Sequence, residues 1–175
     1  MRINFALVSA IILLSFSSPL WAQSFLYEKF EYEMPIQQAK ALLKKNKKTF
    51  KNIKLGSGTS YAIRRASLKQ KNQKVYAITL TSKKNLTLKE ATSYLNKSRS
   101  YYEKLGYVVV YADPNWNAPL LRDPNKPCIR LVDQERKKMI EFEPIGQGAI
   151  YNLYITIYNY DWFVEKIMRK SKKYF

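Results

Sequence analysis

The 175-residue sequence contains no histidine and only one cysteine, Cys128. Without histidine the chain cannot form a Ser-His-Asp triad, a Cys-His nucleophile pair or a zinc site that uses histidine. A single cysteine cannot form an intrachain disulfide or a cysteine-based metal cluster. The sequence therefore predicts no cofactor and favours a function other than catalysis.

Acidic residues are absent from positions 34–89, which hold 15 Lys or Arg residues, whereas the whole chain carries a formal net charge of +18. An excess of one charge bears on association with partners and not on the fold. A genome rich in Lys, Asn, Ile and Tyr codons would raise the lysine content, but it would not also remove every acid. This basic stretch, residues 34–89, therefore indicates an anion-binding surface. The alternative is a solvated face that keeps the chain soluble.

Charge is also absent between Arg2 and Glu28. Arg2, an apolar run at residues 5–16 and a small residue at the cleavage position predict a signal peptide over residues 1–22. The apolar run is shorter than the ~20 residues of a spanning helix, and an uncleaved anchor is the alternative. No cysteine adjoins the cleavage position, so a lipoprotein is not expected. The sequence thus predicts a periplasmic or secreted protein with one mature domain, residues 23–175.

Hydrophobic residues make up 46% of the chain, which is enough to form a core in a domain of this length. Hydrophobic spacing predicts helices at residues 35–50 and 85–105, the second with a capping box formed by Thr87 and Glu90. A final amphipathic helix is expected to begin at Asp161. Strand-like runs occur at residues 24–33, 59–68, 74–82, 107–111, 128–133, 138–143 and 149–160.

This order predicts an α+β fold with an antiparallel sheet and the two main helices on one face. The first six elements match the ferredoxin-like βαββαβ pattern, extended by three further strands and the C-terminal helix. The strand at 107–111 is largely apolar, which favours a position in the centre of the sheet.

The basic stretch is predicted to form one helix and one hairpin that pack together and share a cationic face. Its candidate anion-binding cations are Lys40, Lys44, Lys47, Lys48, Lys51, Arg64, Arg65, Lys69, Lys71 and Lys74. Tyr61 and Tyr76 lie in the hairpin and would stack on bases or sugars. Strand alternation would place Arg64 and Arg65 on opposite faces, so that one of them supports the fold.

Several weaker patterns have two interpretations each. Residues 161–175 would either contact a membrane surface or dock on the sheet. Glu141 and Glu143 would point the same way, either as an acid–base pair or as the solvent side of a strand. Cys128 lies in an apolar run, where a small buried side chain is expected and an intermolecular disulfide is the alternative.

A partial calcium-loop pattern opens at Asp113, Asn115 and Asn117. Ala118 and Pro124 stand where such a loop needs Gly and Glu, so no metal site is predicted.

Three functions remain open. The first is an exported binding module for an anionic polymer, a lipid head group or an acidic protein surface, with nucleic acid disfavoured by export. The second is an assembly subunit of an envelope complex that uses strand 149–160 and the proline-containing loop 113–127 as contact surfaces. The third is a small hydrolase, which would need carboxylates such as Asp113, Asp133 or Glu141 to converge in a pocket.

Overall fold

The computed structural model describes residues 25–56, 58–113, 128–147 and 149–168. The predicted signal peptide, most of the predicted loop after Asp113 with its partial calcium pattern, and the end of the C-terminal helix lie outside these residues. The helices are α1 (Ile36–Lys45), α2 (Lys47–Phe50), α3 (Leu88–Lys104) and α4 (Tyr160–Phe163). A 3₁₀ turn, Arg65–Ser67, precedes β4, and a π-helical turn, Val164–Met168, follows α4.

The strands form one large sheet and one small hairpin. They are β1 (Phe25–Tyr27), β2 (Phe30–Glu31), β3 (Tyr61–Ala62), β4 (Leu68–Lys71), β5 (Lys74–Ser82), β6 (Val108–Ala112), β7 (Ile129–Val132), β8 (Lys138–Gln147) and β9 (Ile150–Asn159). The large sheet has the order β3-β5-β9-β8-β7-β6, and β4 also pairs with β5. Every described pair is antiparallel. The predicted α+β class with an antiparallel sheet is therefore confirmed.

The strand order differs from the ferredoxin-like expectation. That pattern needs parallel strands joined by crossover helices, whereas no described pair is parallel. The first predicted strand also divides, because Glu28 adopts a positive φ of 54° and turns the chain between β1 and β2. These two short strands pair with each other outside the large sheet.

One face of the large sheet carries the main core. A row of directly paired residues crosses four strands and joins Leu131, Ile140, Ile157 and Ile78. Helices α1 and α3 pack on this core through residues such as Ile36 and Leu95. Both main helices thus contribute to one cluster, as the apolar periodicity predicts.

The opposite side, the second face of the sheet, carries a polar row. Arg130, Glu141, Thr156 and Thr79 are directly paired across β7, β8, β9 and β5. Thr79 Oγ1 lies 3.0 Å from Thr156 Oγ1, and Arg130 Nε donates to Glu141 Oε2 at 2.8 Å. The two ends of this polar row are thus held by direct side-chain contacts.

The short helix α4 closes one end of the second face. A bulge in β5 opposite Lys69 and Gln70 leaves Tyr76 as an extra residue. The Tyr76 ring stacks on Trp162 with centroids 4.1 Å apart. Phe163 is fully buried in a small second cluster with Met139. The docked interpretation of the C-terminal segment is therefore confirmed for its described part.

Three local predictions differ from the structure. The predicted 35–50 helix is interrupted at Asn46, where the side chain donates to the Leu42 carbonyl, and α2 begins at Lys47. The predicted central strand at 107–111 is β6, which is the outermost strand of the sheet as far as the described residues show it. The N-cap of α4 is Asn159, which accepts from the Trp162 N–H, and not Asp161.

The capping box of α3 provides a direct stability test. Thr87 accepts from the Glu90 N–H, and the Glu90 carboxylate accepts from the Thr87 N–H at 2.8 Å. Thr87→Ala is expected to lower the free energy of unfolding by about 1 kcal/mol in urea denaturation. Thr92→Ala, on the same helix, removes only a bond to the Leu88 carbonyl and should change it by no more than a few tenths. Equal losses in both variants would contradict a specific role of the cap.

Candidate functional site

The helical wall of the candidate site carries four lysines. Lys40 and Lys44 are one helical turn apart on α1, with Leu43 beside them, so their side chains share one face. Lys47 and Lys51 continue this wall along α2 and its C-cap. All four lysines line the same concavity, so the interruption at Asn46 does not remove the second pair from the wall.

The opposite wall follows β3. The chain is held there by hydrogen bonds between Ile53 and Tyr61, and by Ile63 N–H donating to the Phe50 carbonyl at 2.8 Å. The next two residues are Arg64, the N-cap of the 3₁₀ turn, and Arg65, its first residue.

The 3₁₀ turn decides where the two arginines lie. Ser67 N–H donates to the Arg64 carbonyl, and Arg64 N–H donates to the Ser67 hydroxyl at 2.9 Å. Strand alternation therefore does not apply, and the prediction that the arginines occupy opposite faces is wrong. Both are exposed, and both line the same concavity.

Together these walls enclose an open concavity of about 660 Å³, which we call the cationic groove. It is lined by Lys40, Leu43, Lys44, Lys47, Lys51, Ala62, Ile63, Arg64, Arg65 and Lys83. Seven of these ten side chains are cationic, and none is acidic. Among the described residues, no carboxylate forms an ion pair with any of the seven. A concavity lined by one sign of charge focuses the electrostatic field and attracts anions.

Six of the ten predicted cations therefore meet in the cationic groove. Lys48 lies on α2 but does not line it. Lys69, Lys71 and Lys74 belong to the β4–β5 hairpin, and Lys74 pairs with Glu33 at 3.7 Å. Lys71 and Lys74 line a separate depression that also contains Glu33 and Glu165. The basic stretch thus forms one acid-free groove and, apart from it, a mixed-charge surface.

Neither predicted tyrosine is free to stack on a ligand inside the groove. Tyr61 is fully buried, and its hydroxyl lies 2.6 Å from the Ser98 hydroxyl. Burial raises the pKa of Tyr61, and the Ser98 hydrogen bond opposes this rise only in part. Tyr76 already stacks on Trp162. The stacking expectation for Tyr61 is therefore wrong, and the Tyr76 ring packs against α4.

Tyr61→Phe separates the structural role of this residue from binding. We expect a loss of about 1–2 kcal/mol in the free energy of unfolding, because the buried Ser98 hydroxyl loses its partner. Tyr61→Phe combined with Ser98→Ala should recover part of this loss. Heparin affinity of the folded variant should equal that of the parent. A selective loss of heparin affinity at unchanged stability would show that Tyr61 contacts the ligand.

Lys83 belongs to the cationic groove, although sequence reasoning did not select it. It follows β5 directly, and its N–H donates to the Ser60 carbonyl at 2.9 Å, which places it beside β3. Its ammonium group donates to the Asn52 side-chain carbonyl at 3.3 Å. The apolar lining residues Leu43, Ala62 and Ile63 were also missed. These residues line the groove because the α1–α2 segment and β3 lie opposite each other, and the local sequence does not indicate that arrangement.

The carboxylates Glu141 and Glu143 point to the same face, as expected, but this is not the solvent side. Glu141 is only 5% exposed and pairs with Arg130. The Arg130 guanidinium lies 5.3 Å from the centre of the Phe163 ring, within cation–π range. Burial, followed by repulsion from Glu141, raises the pKa of Glu143. The solvent-face interpretation is therefore wrong, and Glu141 is part of a buried ion pair.

The raised pKa of Glu143 predicts that the stability difference between the parent protein and Glu143→Gln depends on pH. The folded state holds this proton more tightly than the unfolded state, where the pKa is near the usual 4.5. The stabilisation that protonated Glu143 contributes is therefore fully present below pH 4.5 and is lost as the pH rises through the pKa of Glu143 in the folded state. Glu143→Gln is uncharged at every pH, so its gain in unfolding free energy over the parent should be larger at pH 7 than at pH 4. A gain that shrinks as pH rises, in urea denaturation at both pH values, would contradict this.

Other candidate residues have structural roles. Cys128 is buried, and burial, with a smaller contribution from Asp113, raises its pKa to about 12. The expectation of a small buried side chain is thus confirmed. Asp133 Oδ1 accepts from the N–H groups of Lys137 and Lys138 and closes the turn before β8. Within the described ranges, no group of three or more metal-ligating side chains is found.

Comparison with models of protein families, with curated proteins and with solved structures found no match for this chain. In the part of the chain that the structure describes, no helix has the length and apolar character needed to cross a bilayer. The candidate site is therefore defined by its own geometry, a groove with cations on both walls.

Proposed function

We propose that this chain is an exported, non-catalytic binding module that captures an anionic ligand in the cationic groove. One observation supports this most directly: seven cations from distant parts of the basic stretch line one concavity, and none of its described lining residues is acidic. Like charges at close range repel each other, so this arrangement costs free energy that a bound anion would offset. The predicted signal peptide adds that the available anions are envelope or extracellular components.

An anion-binding role requires cations clustered without acids, whereas a role in solubility does not. Charges that keep a protein soluble work equally well when both signs are interspersed over the surface. Here the surface near Lys71 and Lys74 has that mixed character, since Glu33 and Glu165 line the same depression. The cationic groove does not. This contrast within one basic stretch favours a binding role for the groove.

A salt series provides the experiment. Binding of the chain to heparin, DNA, lipopolysaccharide and anionic phospholipid vesicles is measured between 50 and 500 mM salt, values chosen to span strong and weak screening. We expect binding at low salt that weakens steeply as salt rises, because capture by several cations releases counterions. Absence of all binding at low salt, or binding that ignores salt, would overturn the proposal.

A second candidate function, an assembly subunit, is favoured by the edge strand β6. Val108 and Val110 are 56% and 55% exposed on this strand, which pairs only with β7 among the described residues, and an unpaired edge invites pairing with another chain. The contact surface expected from sequence, β9, is instead in the middle of the sheet. Sedimentation analysis tests this candidate: association that Val108→Lys abolishes would support it, and a monomer at all concentrations would exclude self-assembly through β6.

A further inference from the structure

The cationic groove also carries information about the size of its ligand. Its volume of about 660 Å³ lies in the range of small-molecule sites, roughly 300–1,000 Å³. A surface that tracks an extended polymer presents cations along a continuous stripe instead. Toward the hairpin, the cations near Lys71 and Lys74 share their depression with Glu33 and Glu165. The acid-free surface is thus compact, which favours a compact anionic group.

The number of cations indicates more than one anionic group on that ligand. A phosphate monoester carries a charge of about −1.5 to −2 at neutral pH. Seven cations line the groove, so one such group would leave most of their charge uncompensated. Lysines occupy the helical wall, and Arg64 and Arg65 occupy the opposite wall. Two or more linked phosphate or sulfate groups would contact both walls at once.

The two arginines favour groups with several oxygens in a fixed arrangement. A guanidinium binds phosphate or sulfate oxygens through two parallel hydrogen bonds, whereas lysine acts as a point charge. Arg64 and Arg65 are held by the 3₁₀ turn, whose first residue is Arg65 and whose Ser67 bonds back to Arg64. The backbone at both arginines is therefore fixed before a ligand arrives.

The space between the walls also has an apolar component. Leu43 is half-buried between Lys40 and Lys44, and Ala62 and Ile63 are 6% and 3% exposed beneath the arginines. A ligand made only of charged groups would leave Leu43 in contact with water. An apolar moiety next to the charged group would cover it and gain affinity from that burial.

Resting on the proposed function, we infer that the groove binds a compact head group with at least two phosphate or sulfate groups attached to an apolar moiety. Such a group occurs either on a membrane lipid or on a soluble metabolite. The chemistry that the groove would recognise is the same in both: linked anionic groups on the two cationic walls, with the apolar attachment on Leu43.

Calorimetric titration with a matched series of probes tests this inference. The probes are inorganic phosphate, inorganic pyrophosphate, a decyl monophosphate and a decyl diphosphate, the last two below their micelle concentrations. We expect the decyl diphosphate to bind about tenfold tighter than pyrophosphate, because a few methylenes are buried. It should also bind at least tenfold tighter than the decyl monophosphate, because the second phosphate adds charge-assisted hydrogen bonds. Equal affinity within either pair would overturn the inference.

Two variants assign these preferences to the groove. Leu43→Ser should lower the ratio of decyl diphosphate affinity to pyrophosphate affinity from about tenfold to about one, because the apolar contact is lost. Arg64→Lys keeps the charge but removes the planar fork, so diphosphate affinity should fall about tenfold, and by a larger factor than heparin affinity. If both variants behave like the parent protein, the ligand does not bind as inferred.

Two further measurements distinguish the possible outcomes. Phosphatidylcholine vesicles doped with a diphosphate lipid show whether the groove binds the head group in a bilayer. Binding to these vesicles supports a lipid source of the ligand. Binding of the free probes alone supports a soluble ligand. Absence of both overturns the inference. Salt-dependent binding of heparin, DNA, lipopolysaccharide or anionic phospholipid vesicles in the same preparation would then leave the proposed function intact. Absence of binding to all four at low salt would remove the proposed function as well.

Discussion

Reversing one charge on each wall of the cationic groove, Lys44→Glu together with Arg64→Glu, is expected to weaken heparin binding about 100-fold at low salt. Each reversal replaces a cation that attracts heparin with an anion that repels it, so the two changes together lower the charge of the groove by four. Both side chains are exposed and have no acidic partner among the described residues. The reversal should therefore leave the thermal unfolding midpoint within a few degrees of the parent.

The matched control changes the net charge by the same amount elsewhere. Lys89 and Lys104 are exposed at the two ends of α3 and do not line the groove. Lys89→Glu with Lys104→Glu should weaken heparin binding by no more than a fewfold at moderate salt, where screening limits charge effects to about 10 Å. The slope of affinity against salt should also decrease only in the groove variant. A control that loses as much affinity as the groove variant would show that net charge, and not the groove, drives binding.

Arg130→Met is expected to be the most destabilising of the changes considered, with a loss of about 3–5 kcal/mol in unfolding free energy. Arg130 donates to Glu141 at 2.8 Å, and the Glu141 side chain is 6% exposed. Removing the arginine leaves a buried carboxylate without its cation. Since small domains are stabilised by only about 5–15 kcal/mol, urea denaturation should detect this change readily.

Replacing both members of the pair is expected to cost much less. Arg130→Met with Glu141→Leu leaves no buried charge, and well-packed apolar substitutes for such pairs are often neutral or stabilising. The coupling between the two sites follows from the two single variants and the double variant. A single-variant loss below 1 kcal/mol would show that Glu141 is solvated in solution. Heparin affinity of the folded variants should be unchanged, because neither residue lines the groove.

Features set by short-range patterns were predictable. The capping box of Thr87 and Glu90 occurs as the sequence predicts, at the start of the longest helix. The alternation in β9 also holds, with Leu153, Ile155 and Ile157 in the core. Neighbouring residues in a helix or strand determine these features, so one segment carries the whole signal.

Features set by pairing between distant segments were not predictable. Tyr61 reads as a surface aromatic in its own strand, but its hydroxyl meets Ser98, 37 positions along the chain. Glu141 reads as solvent-facing, yet it is buried and pairs with Arg130, whose guanidinium lies over the Phe163 ring. The bulge that turns Tyr76 toward Trp162 depends on the register between β4 and β5. The hydrophobic periodicity within one segment does not indicate which of its faces another helix or strand will cover.

The sequence by itself determined the charge of the candidate site and the elements that carry it, because an acid-free stretch and apolar periodicity are properties of the chain alone. Only the tertiary structure decided which cations meet. The 3₁₀ turn placed Arg64 and Arg65 on one wall, and the pairing beside β3 added Lys83. The same structure left Lys71 and Lys74 beside acids. Electrostatic fields depend on distances in space, and these distances follow from packing rather than from order along the chain.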